Sequence, residues 1–437
     1  MNPVLVDFLY AGALAVGSPY FFYKMLTTGK YREGLGQRLG FVPPREGERC
    51  IWIHGVSVGE VLASRTIVAG LEKALPGAQV VISTTTNTGQ AVANRNYRGR
   101  HVFYFPLDFS AAVARTFRRI RPRMVILMEM EVWPNFLVQA GREGVPVVVA
   151  NGRITERAAL RLSRLGRLAN GFLNGVSLYM VQSETYAERL RLLGVAAERI
   201  EVTGNVKFDT LSTDVDTRRA IRLREEMGVR RDEALIIGGS THRGEEEALL
   251  DAYARLRAEN KRIRLLIVPR HDIRFGEVAG LVEYRGYKVF RRSSLKGGAQ
   301  PSGEEVLLGD TMGELEQLYE AADAAFVGGS LIPHGGQNMT EPAAKGKPVV
   351  FGPHIENFAD ASKMLLEAGA ATGIEDSGQL AGALAAYIDT EAGARAGRAG
   401  REAVIRAKGA TARTVDRIVQ IMGEKLASPR AGDLKGD

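Results

Sequence analysis

The chain has 437 residues, of which 45% are hydrophobic and 25% charged, as in a soluble globular protein. This length exceeds one ordinary hydrophobic core and predicts two domains. The net charge of +8 is a modest excess, so the positions of the basic residues matter more than their number. The single cysteine, Cys50, excludes an internal disulfide and favours a reducing compartment.

The amino-terminal residues 3–23 are almost wholly apolar and are interrupted only by Asp7. About 20 apolar residues can span a bilayer, and basic residues after such a run keep the downstream chain cytoplasmic. The basic residues here are Lys24, Lys30, Arg32, Arg38 and Arg45. A cleaved signal peptide is disfavoured, because its basic residues would precede the apolar run. We therefore predict a membrane anchor over residues 1–25, either spanning or half-inserted.

Short apolar segments alternate with helical segments through the rest of the chain. The predicted strands are residues 51–54, 79–83, 102–105, 124–128, 146–150, 178–182, 200–203, 234–238, 264–268, 287–290, 305–308, 324–327, 348–351 and 371–374. They are apolar without strict alternation, which indicates parallel strands that are buried on both faces. The polar stretch 210–217 separates the two sets of strands and is predicted to be a linker.

This pattern predicts an α/β protein with two Rossmann-like, doubly wound domains that face a cleft. The N-terminal domain spans residues 26–212 and the C-terminal domain residues 218–408. A final helix over residues 409–426 can return to the N-terminal domain. Residues 427–437 are predicted to be a disordered tail.

Five arginines are three or four residues apart, a spacing that places them on one face of a helix. They are Arg153, Arg157, Arg161, Arg164 and Arg167, and leucines lie between them at 162, 165 and 168. A solvated helix face is one explanation. Beside an anchor, the same face could bind anionic lipid headgroups or a phosphorylated lipid. Nucleic acid is disfavoured, because no stacking aromatic residues accompany the arginines.

Glu60 follows a predicted strand and a tight turn at Gly55, and it lies in the first turn of a predicted helix. An acid at this position is stabilised by the helix dipole, an effect worth roughly 0.3–1 kcal/mol. The same carboxylate could instead act as a general base that accepts a proton from an acceptor hydroxyl. Both explanations remain open at this point.

A glycine-rich segment, residues 326–352, lies between two predicted strands in the second half of the chain. Gly328 and Gly329 follow the first strand, where backbone N–H groups can approach a ligand. Asn338 and Glu341 are three residues apart at the start of the next helix, the spacing of a reciprocal helix cap. The segment therefore predicts either a nucleotide pocket or a capped helix of an α/β domain.

Other polar residues give weaker signals. Asp214 and Asp216 form a DxD pair, but they lie in the polar linker, so metal binding is disfavoured. His54, His242 and His271 are scattered in the sequence without metal-ligand spacing, so hydrogen bonding is expected of them. No nucleophile elbow of the G-x-S-x-G type surrounds Ser57 or Ser240, as a hydrolase of that class would require.

Eight segments in series, from about residue 31 to 420, together resemble the 3-deoxy-manno-octulosonic acid (Kdo) transferases. They are SVGE around Glu60, LMEMEVWPN (127–135), NGRIT (151–155), GNVKFD (204–209), STHRGEE (240–246), VPRH (268–271), GDTMGEL (309–315) and the glycine-rich segment. The resemblance implies a GT-B glycosyltransferase that transfers Kdo from CMP-Kdo to the lipid A precursor of lipopolysaccharide. It also implies a reaction at the cytoplasmic face of the inner membrane. One assigned base without a paired nucleophile predicts inversion, and a monophosphate leaving group does not demand a metal, so we expect no cofactor and no metal.

The resemblance also implies roles for individual residues. Glu60 matches the catalytic base of the family, and Glu129 and Lys207 match residues that support the transition state. The residues that match CMP-binding positions of the family are Pro269, Arg270, Met312, Gly313, Glu314, Asn338, Met339, Thr340 and Glu341. Thr340 stands where an aliphatic residue is usual, and Gly55 replaces an alanine or serine.

Two alternative functions remain open from the sequence. One is another lipid-linked GT-B transferase that uses a UDP-sugar. The other is a membrane protein that binds a nucleotide without catalysis, against which an intact Glu60 and two full domains argue.

Overall fold

The computed structural model of the protein describes residues 3–28, 33–45, 47, 50–259, 262–388 and 390–427. The chain forms two compact units. The first comprises residues 1–210 and 408–437, and the second comprises residues 211–407. The tail predicted over residues 427–437 begins one residue early, because Ala427 ends a helix, and residues 428–437 lie outside the described residues, as do Lys30 and Arg32.

The first unit contains a sheet of seven parallel strands among its described residues. The strands are β1 (Cys50–His54), β2 (Gln79–Thr84), β3 (Val102–Tyr104), β4 (Met124–Met128), β5 (Val147–Gly152), β6 (Leu178–Val181) and β7 (Ile200–Val202). Their order is β3-β2-β1-β4-β5-β6-β7. The order reverses direction between β1 and β4, the point at which doubly wound sheets place their functional residues.

The helices of this unit precede or connect its strands. They are α1 (Pro3–Thr28), α2 (Leu35–Arg38), α3 (Val58–Ala74), α4 (Asn87–Asn96), α5 (Ser110–Ile120), α6 (Pro134–Arg142), α7 (Glu156–Ser163), α8 (Arg167–Leu173) and α9 (Glu184–Leu192).

The second unit repeats the arrangement with a second sheet of seven parallel strands in its described part. The strands are β8 (Ala234–Thr241), β9 (Ile263–Pro269), β10 (Val289–Arg291), β11 (Val306–Leu308), β12 (Ala324–Val327), β13 (Val349–Phe351) and β14 (Ala371–Gly373). Their order is β10-β11-β9-β8-β12-β13-β14, and it reverses between β8 and β12.

The helices of the second unit are α10 (Thr217–Glu226), α11 (Glu245–Ala258), α12 (Phe275–Tyr284), α13 (Leu315–Leu318), α14 (Thr340–Ala344), α15 (Ala359–Glu367), α16 (Leu380–Ala385) and α17 (Glu391–Ala407). The last helix, α18 (Ala410–Ala427), belongs to the first unit and packs on α3. Gly70 permits this packing, because a Cβ there would lie 2.8 Å from the side chain of Val415.

Both faces of each sheet are buried, as the run of apolar residues in each strand predicts. Trp52 on β1 is fully buried in an aromatic cluster on one face, with ring centroids 5.1–5.6 Å from its neighbours. Ile51 and Ile53 point to the other face, toward α3 and α18. Each predicted strand overlaps an observed one and its ends differ by three residues or fewer. The predicted α/β fold is therefore confirmed.

The single helix predicted for the five arginines is wrong. Helix α7 ends at Ser163, and Gly166 adopts φ 50°, ψ −124° before α8 begins at Arg167. Arg153 precedes α7 altogether. Because a positive φ interrupts the helical path, the arginines do not form one stripe, although the leucines among them at 160, 165 and 168 are exposed.

Helix α1 is bonded to the first unit near its amino-terminal end. The Asp7 carboxylate accepts hydrogen bonds from Ser110 N (2.9 Å) and Asn135 Nδ2 (2.9 Å), and the Tyr10 hydroxyl donates to Asp108 (3.1 Å). The opposite side exposes Val4, Leu5, Phe8 and Leu9. In the described part of the chain, no helix combines the length and the apolar character needed to cross a membrane.

A buried ion-pair cluster fixes the carboxyl end of α14, the helix that carries Glu341. Glu320 contacts Lys345 Nζ at 3.2 Å and receives two hydrogen bonds from Arg219, at 2.5 and 2.8 Å. The side chains of Glu320 and Lys345 are 0% and 3% exposed. Removing one partner from such a cluster leaves an uncompensated charge in the interior.

We predict that Glu320→Gln lowers the free energy of unfolding by about 3 kcal/mol, because Lys345 and Arg219 lose their buried counterion. Urea denaturation measures this loss. Glu367→Gln is the matched control, since the pair of Glu367 with Lys363 is exposed and its removal should cost less than about 0.5 kcal/mol. Similar losses in the two variants would contradict a special role for the buried cluster.

Candidate functional site

Glu60 lies at the start of α3, directly after the turn that follows β1. Its Oε2 accepts a hydrogen bond from Val56 N (2.9 Å), and its Oε1 accepts one from the Ser57 hydroxyl (2.7 Å). Ser57 Oγ in turn accepts from Glu60 N, which completes a capping box. Glu60 is therefore a structural first-turn acid, as its position predicts.

The environment of Glu60 also favours proton transfer. The residue is only 7% exposed, and burial raises the pKa of its carboxyl, while the hydrogen bonds from Val56 and Ser57 partly oppose this effect. The negative charge of Glu129 raises the pKa further. A carboxylate with a raised pKa is a stronger base than a solvated one.

Glu129 and Lys207 meet at the carboxyl end of β4. Lys207 Nζ lies 3.4 Å from Glu129 Oε1, so the partner predicted for this acid is present. Lys207 belongs to a 3₁₀ turn (Val206–Thr210), which Asn151 holds by accepting a hydrogen bond from Val206 N (3.1 Å). Glu129 and Asn151 both adopt left-handed backbone conformations, with φ 57° and 56°. The structure thus brings the three residues assigned to catalysis into one part of the first unit.

In the second unit, Asn338, Thr340 and Glu341 form a bonded group at the start of α14. Asn338 Nδ2 donates to Glu341 Oε1 (3.0 Å), and Asn338 Oδ1 accepts from Thr340 N (3.2 Å) and the Thr340 hydroxyl (2.5 Å). The reciprocal cap expected of Asn338 and Glu341 is wrong, because the helix begins later and Met339 occupies its N-cap. The hydroxyl of Thr340 fixes the amide that orients Glu341.

Arg270 directly follows β9, which ends at Pro269. Burial raises the pKa of Glu341, and the hydrogen bond from Asn338 and the positive charge of Arg270 act against this effect. The electrostatic influence of Arg270 on Glu341 means that residues from two strand–helix units converge. The arginine is suited to bind a phosphate, and the oriented carboxylate beside it is suited to bind a ribose hydroxyl.

Met312, Gly313 and Glu314 follow β11, the strand beside β9. Met312 is 60% exposed, and Gly313 has φ 84°, a conformation that favours glycine. Glu314 accepts hydrogen bonds from Arg292 (2.7 Å) and the Thr311 hydroxyl (2.8 Å), so its carboxylate is engaged by its own loop and by the turn after β10.

Comparison with known proteins identifies the family. Residues 33–210 match the family model described as 3-Deoxy-D-manno-octulosonic-acid transferase (kdotransferase). The chain is 34% identical to the 3-deoxy-D-manno-octulosonic acid transferase of Haemophilus influenzae, with 95% of each chain covered. It is 36% identical to the enzyme of that name from Bordetella pertussis, with 75% and 76% covered. The chain belongs to the 3-deoxy-D-manno-octulosonic acid transferase family.

The fold agrees with this assignment. A glycosyltransferase from Rickettsia africae ESF-5 superposes with a TM-score of 0.56 at 12% identity, covering 88% of this chain and 100% of that one. This likeness shows a common GT-B fold. The resemblance of the eight sequence segments to Kdo transferases is confirmed, and the protein is a glycosyltransferase of that class.

The glycine turn after β12 does not leave its amides free, contrary to expectation. The fully buried Glu245 carboxylate accepts hydrogen bonds from Gly329 N (2.7 Å), Ser330 N (2.9 Å) and Leu331 N (3.0 Å). Gly328 is nevertheless required, because a Cβ there would lie 2.4 Å from Ser240 O. The turn of this Kdo transferase therefore packs against β8 and α11 and is not open to an anion.

The histidines differ in their surroundings. His54 is buried, stacks on Phe105 at 3.9 Å, and has a pKa that burial lowers to about 3. His242 and His271, by contrast, form a cluster with His334 although they are far apart in the sequence, and His242 Nε2 is hydrogen-bonded to Gln337, as expected for this residue. Separation in sequence concealed the cluster, because parallel strands bring distant turns to one edge. Over the described ranges, no three His, Cys, Asp or Glu side chains could hold a metal ion.

The DxD pair of the linker has a structural explanation. Asp216 is the N-cap of α10 and accepts hydrogen bonds from Arg218 N (3.0 Å) and Arg219 N (3.1 Å). The backbone oxygen of Asp214 accepts from Lys345 Nζ (3.0 Å).

Glu131 is a candidate that the sequence analysis missed. Burial, together with the charges of Glu60 and Glu129, raises the pKa of its carboxyl to about 7. Three carboxylates thus interact electrostatically in the first unit. The signal available in the sequence was the alternation of two acids in MEMEVW, of which only Glu129 was assigned.

We predict that Glu129→Gln moves the acid limb of the pH profile of transfer to lower pH, in addition to any change in the maximum rate. A base works only when deprotonated, and removing the charge of Glu129 lowers the pKa of the neighbouring Glu60. Measurement of kcat/KM against pH for the variant and the parent tests this. Glu143→Gln is the control, because this acid lies at the end of α6 and should leave the profile unchanged. An acid limb at the same pH in all three proteins would contradict the coupling.

Proposed function

We propose that this Kdo transferase takes Kdo from CMP-Kdo and attaches it to a hydroxyl of the lipid A precursor, with inversion and without a metal. The observation that supports this most directly is the group formed by Glu60, Glu129 and Lys207 at one edge of the first sheet. The Kdo transferase relatives support the sugar that is moved. The Arg270, Asn338 and Glu341 group in the second unit supports a nucleotide donor.

Glu60 is the base in this reaction. Its carboxylate accepts the proton of the acceptor hydroxyl while the hydroxyl oxygen forms a bond to the anomeric carbon. The bond from that carbon to the phosphate oxygen breaks, and CMP leaves with the electron pair. Val56 N and Ser57 keep the carboxylate in a fixed orientation, which avoids reorganisation during transfer.

Positive charge assists the departure of CMP. Arg270 neutralises phosphate charge, and Glu341, oriented by Asn338, accepts hydrogen bonds from ribose hydroxyls. A monophosphate ester carries less charge than a diphosphate, so side chains can stabilise it without a metal. Lys207 forms an ion pair with Glu129 and adds positive charge near the base. One base and no paired nucleophile correspond to a single displacement, which inverts the anomeric centre.

We predict that Glu60→Gln reduces transfer from CMP-Kdo to a lipid A precursor by at least ~10²-fold, because an amide accepts no proton. Its amide nitrogen replaces one acceptor oxygen of the cap, so the free energy of unfolding should fall by only about 1 kcal/mol. CMP affinity should be unchanged, and CMP should bind in preference to UDP. Turnover by mass spectrometry, thermal unfolding and calorimetry measure the three quantities.

Ser57→Ala is the matched control for Glu60→Gln. It removes the other half of the capping box at a similar cost of about 1 kcal/mol, yet it retains the carboxylate. Most of its turnover should therefore survive. Equal turnover in the two variants would reduce Glu60 to a helix cap, and preferential binding of UDP would support a UDP-sugar transferase instead.

We further propose that the protein attaches to the cytoplasmic face of the inner membrane through α1. Asp7 and Tyr10 bind one side of this helix to the first unit, while Leu5, Phe8 and Leu9 are exposed on the other. A helix of this kind can lie in the interface with its apolar side among the acyl chains. The exposed arginines of α7 and α8 would add attraction to anionic lipid.

We predict that replacing Leu5, Phe8 and Leu9 by serine moves the protein from the membrane to the soluble fraction. These positions avoid the hydrogen bonds of Asp7 and Tyr10, whereas deletion of residues 1–25 would also remove them. Sedimentation with vesicles of anionic lipid measures the shift, and the deletion should show it too. If the triple variant sediments like the parent, attachment depends on another surface, and charge reversal at Arg161 and Arg164 tests that surface.

A further inference from the structure

We infer that His242, His271 and His334, together with Arg270, form a site for a negatively charged oxygen of the donor, either its phosphate or the carboxylate of its sugar acid. We rest this inference on the donor class proposed above, and it adds three histidines to the residues that resemblance assigns. The shared chemistry is recognition of an anionic oxygen by imidazole and guanidinium groups.

The three imidazoles converge at the carboxyl edge of the second sheet. His242 follows β8, His271 follows β9, and His334 lies in the loop after β12, and these three strands are adjacent. The His242 ring centroid lies 4.2 Å from that of His334 and 5.7 Å from that of His271. His242 is 9% exposed, whereas His271 and His334 are exposed. The cluster thus has one buried ring under two that face solvent.

Acidic groups near the cluster are already engaged. Glu245, which follows His242 on the same turn, accepts hydrogen bonds from four backbone amides, including His242 N (2.9 Å). Glu246 is paired with Arg274 at 2.6 Å. Because these carboxylates are committed, they offer little compensation to Arg270. Glu341 also lies within the influence of Arg270, but it accepts a hydrogen bond from Asn338. An anion that reaches the cluster would therefore meet positive charge that is only partly compensated.

The amides that would normally bind an anion at such a turn are occupied. Glu245 takes the N–H groups of Gly329, Ser330 and Leu331, so the backbone of the glycine turn has none of these donors left for a ligand. Helix α14 has only five residues and contributes little dipole. Side chains must supply the donors instead, and the imidazoles and Arg270 are placed to do so.

Gln337 contacts the buried ring. Its side-chain nitrogen lies 3.2 Å from His242 Nε2, so the amide donates to a neutral imidazole whose proton is on Nδ1. When the ring takes up a proton on Nε2, the amide can turn and accept from it through its oxygen. Without a ligand, burial and then His334, His271, Arg274 and Arg270 lower the pKa of His242 to about 4. A bound anion counters these positive groups and raises that pKa. Donor binding should therefore take up protons and strengthen as the pH falls.

The test compares three ligands that differ by one charged group at a time. Cytidine has no phosphate, CMP has the phosphate, and CMP-Kdo adds the sugar carboxylate. The variants are His334→Gln, which is exposed and should fold normally, and His242→Gln. Arg243→Gln is the control, because this exposed arginine on the same turn is paired with Glu277 and lies outside the proposed site. Calorimetry gives Kd for cytidine and CMP, and steady-state kinetics gives KM for CMP-Kdo.

We expect Kd for CMP or KM for CMP-Kdo to rise roughly tenfold or more in both histidine variants and to stay unchanged in Arg243→Gln. Weaker CMP binding with unchanged cytidine binding assigns the site to the phosphate. Unchanged CMP binding with a raised KM for CMP-Kdo assigns it to the sugar carboxylate. In the parent, KM for CMP-Kdo should fall as the pH is lowered toward about 4, the pKa of His242 without a ligand, and His242→Gln should flatten this dependence.

Parent-like binding of all three ligands by His334→Gln and His242→Gln, with the same dependence of KM on pH, overturns the inference. The proposed function fails in a different way, namely if the parent protein does not bind CMP. Arg270→Ala distinguishes failure of the inference from failure of the proposed function, because this variant should lose CMP affinity whether or not the histidines take part.

Discussion

Burial of both faces of each parallel sheet is the constraint on which the other features of this protein depend. A strand covered on both sides can carry few polar side chains along its length, so charged groups collect where the strands end. Glu129 follows β4 directly, Arg270 follows β9, and His242 follows β8. The residues that resemblance assigns to chemistry and those that the structure adds therefore share one type of location.

Two glutamates show how similar local geometry leads to different chemistry. Glu60 and Glu245 both lie in the first turn of a helix and both accept hydrogen bonds from backbone amides. Glu245 is fully buried and accepts hydrogen bonds from four backbone amides in two turns, so its role is structural and it holds α11 against the glycine turn. Glu60 accepts fewer bonds and lies within the influence of a second carboxylate, so it can exchange a proton.

Much of the fold was predictable because its signals are local. Runs of apolar residues predicted all the described strands, and a glutamate after a glycine turn predicted the start of α3. The partnership of Glu129 with Lys207 was also predictable, since an acid after a buried strand needs a counterion. The break between α7 and α8 was not, because the spacing of the arginines continues unchanged through Gly166. The cluster of His242, His271 and His334 depends on strand order, which no local pattern encodes.

The left-handed backbone at Glu129 has a consequence for attempts to stabilise this enzyme. Apart from asparagine and aspartate, a residue with a side chain costs roughly 1–2 kcal/mol more than glycine in that conformation. Glycine at this position would relieve the strain, yet Glu129 supplies the partner of Lys207. Selection for thermostability alone would favour glycine at a position to which we assign a catalytic role. Such a library should therefore be screened for turnover at each round, because here rigidity and activity are opposed.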